Sequence, residues 1–166
     1  MQTPQRKPGK YTNQKPDPYL TEAKFQELKD KLERLKKFSQ PKAREEVKRL
    51  AEMGDFSENA AYQIAKGRLR GMNQAILDIA DHLKRAVIIT RNSQADRVVL
   101  GSMVTVEIDK KIKNFQILGS SETNPMSGII SHNSPIGSAL LGARMGETVK
   151  ISLPTGQKTF IILKIE

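Results

Sequence analysis

Between Phe25 and Leu50 the apolar positions fall at helical intervals. Phe25, Leu28, Leu32 and Leu35 form one run, and Ala43, Val47 and Leu50 resume it after an interruption at Ser39, Gln40 and Pro41. A stripe of this kind predicts a helix packed along another helix, bent locally where Pro41 removes a backbone donor, with Gly54 at its end. A second stripe, Tyr62, Ala65, Leu69, Met72, Ile76, Ile79 and Leu83, alternates steps of three and four without a break. Only the stretch around Gly54 to Ser57 separates the two, so they are predicted to fold back as an antiparallel hairpin. At about 1.5 Å per residue, an arm of roughly 34 residues is a rod on the order of 50 Å long.

From Val98 the period changes from helical to alternating. The runs Met103 to Ile108, Phe115 to Leu118, Gly128 to Ser131, Val149 to Leu153 and Thr159 to Ile165 are rich in β-branched residues and separated by turn formers. Ser134 followed by Pro135 reads as a helix N-cap and first-turn proline, and Gly142 closes that segment, so one short helix is expected among the strands. The fold class is α+β, with the boundary between hairpin (19–89) and sheet domain (98–166) at residues 88 to 98.

Composition narrows the chemistry. The 166 residues include 28 Lys and Arg against 18 Asp and Glu, a net charge of +10, which points to polyanions or an acidic protein surface as partners. There is no cysteine, which excludes a disulfide scaffold, a thiol nucleophile and a Cys-based zinc site. His82 and His132 are the only histidines, too few and too far apart in sequence for a protein-only transition-metal site, and His82 is expected to be a solvated helix residue. Residues 1–18 are basic and proline-rich without an apolar run. They read as a disordered tail rather than a signal peptide or anchor. No stretch has the roughly 18 consecutive apolar residues of a membrane span, and a cytoplasmic protein is expected.

The predicted tip, Gly54-Asp55-Phe56-Ser57-Glu58-Asn59-Ala60, sets two carboxylates at the far end of the rod. Asp55 and Glu58 have capping-box spacing and would satisfy the first turn of the second helix. They are also oxygen donors suited to Mg²⁺, provided that a partner completes the coordination. The two roles are compatible, because a capped turn holds the carboxylates in place.

Gly54 to Tyr62 resembles the G-D-x-S-E-N-A-x-Y tip of the GreA and GreB transcript cleavage factors, and Ile130 to Ile136 with Ala139 to Gly142 resembles their I-S-x-x-S-P and A-L-L-G segment. Gly146-Glu147 and Pro154-Thr155-Gly156 follow in family order, so the resemblance runs from about Tyr19 to Glu166. It implies a coiled-coil hairpin entering the secondary channel of bacterial RNA polymerase, and an FKBP-like C-terminal domain docking at the channel entrance. The docking residues it implies are Ser134, Pro135, Ile136, Leu140, Leu141 and Gly142. It further implies that Asp55 and Glu58 are the catalytic pair, sharing Mg²⁺ with the polymerase to hydrolyse backtracked nascent RNA. The factor is then no enzyme on its own, holds no cofactor stably, and acts as a monomer. Ser57, Asn59 and Tyr62 match neighbouring positions and are assigned to support of the tip, Tyr62 also opening the apolar stripe.

Lys66, Arg68 and Arg70 stand on the second arm with no acid between Gln63 and Leu77. Pairing the arms outward from the tip sets Lys42 near Arg70 and Arg44 near Arg68, a positive band roughly 15 to 20 Å behind the carboxylates. Such a band suits the phosphates of a displaced RNA strand, without sequence preference; an ordinary solvated helix face is the alternative. This segment looks more like GreB than GreA. Departures from the family pattern are Ala61, often acidic there, Ser138, where Arg is usual, and the helix-weakening Gly67 and Gly71. A channel-binding regulator without cleavage activity is the competing function. A prolyl isomerase is disfavoured, because Phe115 and Phe160 are the only aromatics after Val98.

Overall fold

The computed structural model describes residues 16–53, 60–90, 96–153 and 156–166. Its helical half consists of α1 (Glu22–Arg34), α2 (Gln40–Glu52) and α3 (Ala60–Arg85). Every position of the two apolar stripes is buried or half-buried, whereas most of their neighbours are exposed. The stripes are thus the seam between the arms. The side chains of Gln40 and Asn73 bond across it, Nε2 donating to Oδ1 at 2.7 Å, which fixes the antiparallel register.

The expected disturbance near Pro41 takes a specific form. α1 and α2 are joined without a break by a π-helical segment, Leu35–Ser39, in which the Gln40 N–H reaches back to the Leu35 carbonyl. A proline ring clashes with the carbonyl four residues earlier, and one widened turn just ahead of Pro41 accommodates it while the rod continues.

The second half is a sheet of five strands, β3 (Met103–Ile108), β4 (Lys111–Leu118), β5 (Ile129–Ser131), β6 (Thr148–Leu153) and β7 (Gly156–Ile165), in the order β5-β4-β3-β7-β6. Neighbours run antiparallel except for the parallel β4–β5 pair, and β3 carries an irregularity against β7 at Thr105/Val106. The core lies on one face, where Val104, Val106, Ile117, Phe160 and Ile162 meet Leu140 of α4 (Pro135–Leu140) and the incoming Val98.

The halves are joined by a feature that periodicity did not indicate. β1 (Tyr19–Leu20) pairs in parallel with β2 (Val87–Ile88), so the chain entering α1 lies beside the chain leaving α3, with Leu20 fully buried. Asp17 and Pro18, assigned to the tail on composition, belong to this joint; residues 1–15 of the tail lie outside the described residues. Among the described residues, no helix is long and apolar enough to cross a membrane.

Candidate functional site

One arm ends with α2 at Glu52 and the other begins with α3 at Ala60, and Gly54–Asn59 links them in sequence. Asp55, Ser57, Glu58 and Asn59 lie outside the described residues. The nearest buried positions are Leu50 on one arm and Ala65 on the other. Tyr62 is half-buried at the start of the seam, with the Lys66 ammonium 5.7 Å from its ring centroid, so this ring packs and carries a cation at once.

Counting towards the tip from the Gln40–Asn73 bond brings Lys42 level with Gly71 and Arg44 level with Leu69. Lys42, Arg44, Arg68 and Arg70 therefore stand on adjacent turns of the two arms, with Lys66 one turn nearer the tip. All five are exposed, and among the described residues none is ion-paired. With no carboxylate bonded to them there, these cations can turn to an incoming anion.

The Ser134 to Gly142 segment is packed against the sheet. The Ser134 hydroxyl caps α4, accepting from the Gly137 N–H at 3.0 Å and donating to the Ser131 carbonyl at 2.7 Å. Leu140 is 0% exposed and belongs to the core; Ile136 and Leu141 are half-buried against the same core. Of the six docking candidates only Pro135 and Gly142 are exposed. The motif's apolar members serve the sheet, because a short helix over a sheet must bury its stripe there.

The expectation of a solvated His82 is overturned. This residue is 6% exposed, and its Nε2 donates to the Asp17 carbonyl at 3.0 Å. The chain ahead of α1 covers it, which a helical wheel cannot reveal. The Asp17 carboxylate accepts from the Tyr19 and Ser120 N–H groups at 3.1 and 2.5 Å and lies 4.0 Å from His132, whose ring meets Tyr19 edge-on. Glu122 accepts from both the N–H and the hydroxyl of Thr21, at 3.1 and 2.8 Å. Sequence reasoning missed these residues, and the one signal for them was the apolar pair Tyr19-Leu20 immediately ahead of the Thr21 N-cap.

A long two-armed rod with a basic band on its outer half, seated on a small sheet by a carboxylate-bonded joint, defines a protein that holds the far ends of two helices at a distance from its body. The first half, residues 18–88, matches the model of the N-terminal part of transcription elongation factors, and residues 93–166 match that of the GreA/GreB C-terminal part. The transcription elongation factor GreA of Nautilia profundicola is 36% identical over 150 residues, 88% of this chain and 92% of that one. GreA of Thermomicrobium roseum is 37% identical over 149 residues, 89% and 96% of the two chains. Among solved structures, the GreA factor homolog Gfh1 of Thermus thermophilus is similar at 28% identity, covering 89% of this chain and 97% of that one, with a TM-score of 0.41. The chain belongs to the GreA/GreB family of transcription elongation factors. Both of these sequence relatives carry the GreA name, so neither adds support to the GreB-like reading of the second arm.

Proposed function

We propose that this elongation factor binds bacterial RNA polymerase, passes its hairpin into the secondary channel, and stimulates endonucleolytic cleavage of backtracked nascent RNA. The observation that carries the proposal is the pair of continuous helical arms whose ends, Glu52 and Ala60, flank Asp55 and Glu58 in the sequence of a chain of this family. A rod of this length delivers acids to a place that the globular half cannot enter. The exposed cations Lys42, Arg44, Lys66, Arg68 and Arg70 then lie where an extruded RNA strand would pass, and they contribute affinity without reading bases.

Asp55 and Glu58 offer hard oxygen donors, the right class for Mg²⁺, but two carboxylates do not complete its preferred octahedron. Among the described residues, no cluster of three His, Cys, Asp or Glu could hold a metal alone. A shared site fits this donor set, the polymerase supplying the remaining ligands. When bound there, the ion would favour the attacking water and the leaving oxygen of phosphodiester hydrolysis. The factor's part is to hold two acids at a fixed spacing. Hydrolysis itself belongs to the polymerase.

The test is transcript shortening in a purified, backtracked polymerase complex. Wild type should accelerate cleavage, and Asp55→Asn with Glu58→Gln should bind equally well while losing the stimulation. Binding by wild type without any stimulation would make the protein a channel-occupying regulator instead.

A further inference from the structure

The sheet carries a second concentration of positive charge, at the end farthest along β3. Lys110, Lys111 and Lys113 are exposed on the β3–β4 turn and the start of β4, and Lys158 on β7 reaches the same turn, bonding Asp109 at 2.6 Å. Register explains the convergence. Lys111 lies opposite Ile108 and Lys113 opposite Val106, while Ile108 lies opposite Phe160, two residues from Lys158. Directly opposed residues share a face of the sheet, so Lys111, Lys113 and Lys158 share the face of the core, level with Ile108, Val106 and Ile151 on the neighbouring strands. Glu107, opposite Ile112 and Ile161, is on the other face. Among the described residues, the four lysines are thus met by one acid, Asp109. The hydrogen bond and charge of Lys158, helped by Lys111 and Lys113, draw its carboxyl below the usual range.

The turn itself carries an independent signal. Asp109 and Lys110 have φ of 51° and 63°, and as the two-residue loop of a hairpin they form the mirror-image turn in which glycine is favoured at the second position. Lysine holds that position with the steric cost of a left-handed backbone. A strained residue that adds charge to a charged tip serves the tip rather than the fold.

We propose that this lysine tip is a second nucleic-acid contact, binding the phosphate backbone of a single strand. Lysine binds phosphate as a mobile point charge, without the fixed fork through which arginine pairs with it. Lys111 and Lys113 are spaced roughly 6.8 Å apart along the strand, comparable with successive phosphates of an extended chain. Phe160 is buried and Phe115 half-buried against the core, leaving no ring on which to stack a base, so the contact is indifferent to sequence. The inference stands apart from the hairpin reading, since it uses none of the same residues.

The experiment is fluorescence anisotropy of a short unstructured RNA with the full chain, in a background where Lys42, Arg44, Lys66, Arg68 and Arg70 are all changed to Gln. Adding Lys111→Gln with Lys113→Gln should weaken binding several-fold and lower the slope of log K against log salt by about 0.7 per lysine removed. Lys110→Gly should weaken binding while raising the melting temperature, a combination that general unfolding cannot produce. Lys150→Gln, outside the tip, should change neither. Unchanged affinity and slope in the lysine variants would overturn the proposal, as would polyglutamate competing as well as RNA at equal charge.

Discussion

Thr21 serves two parts of the molecule with one hydroxyl, which accepts from the Lys24 N–H at 3.2 Å as the N-cap of α1 and donates to Glu122 in the sheet half. Replacing it by the isosteric Thr21→Val leaves the Lys24 N–H without its acceptor and the Glu122 oxygen with one hydrogen bond, from the backbone N–H at position 21, in place of two. The expected loss is about 1 to 2 kcal/mol in urea unfolding, and Thr21→Ser should retain most of the stability. Gly137 is tested similarly. A Cβ there would run into the Ser131 carbonyl oxygen, which is backbone and cannot swing aside. Gly137→Ala should therefore cost about 1 to 3 kcal/mol, as overpacking does, and a melting temperature equal to wild type would refute the close approach. At this scale the sequence was legible where a residue's duty is local, as in the Ser134 cap. It misled on His82, expected to be solvated but covered by Asp17, 65 positions away.

The helices were the most legible elements, because an amphipathic stripe kept in step over many turns fits no period but the helical one, and both stripes became the seam. The strands were legible in kind but not in extent. The residues Lys111 to Asn114 lack the composition of a strand, yet they are drawn into β4 by pairing across the tight turn with β3. The short parallel pair of β1 and β2 escaped notice because two residues carry no period. Within α3, Gly67 and Gly71 remain at odds with helix propensity, and a Cβ at either would meet nothing within 4 Å. Packing inside the molecule gives no reason for them. Gly67→Ala and Gly71→Ala should each stabilise the hairpin by about 0.5 to 1 kcal/mol, measured by thermal unfolding. If the glycines allow close passage along a channel wall, the same variants will stimulate cleavage less well despite their greater stability. Undiminished stimulation would leave them as a simple weakness of the arm.

On the scale of the whole molecule, the proposed function asks one end of a long rod to be placed by contacts made at the other. The joint meets that demand with side chains held from both sides. Asp17 accepts from Ser120 across the junction while its carbonyl receives His82, and Glu122 accepts twice from Thr21. A loosened joint would leave both halves folded and both functional surfaces present, but the tip would search a larger volume and its effective concentration in the channel would fall. Asp17→Ala with Glu122→Ala should therefore raise the concentration of factor needed for half-maximal cleavage. The plateau at saturation should stay near wild type, because Asp55 and Glu58 are untouched. Far-UV circular dichroism should show the helices intact. A lowered plateau at unchanged half-maximal concentration would carry a different meaning: the joint would then set the angle at which the carboxylates arrive, and its rigidity would belong to the chemistry rather than to binding.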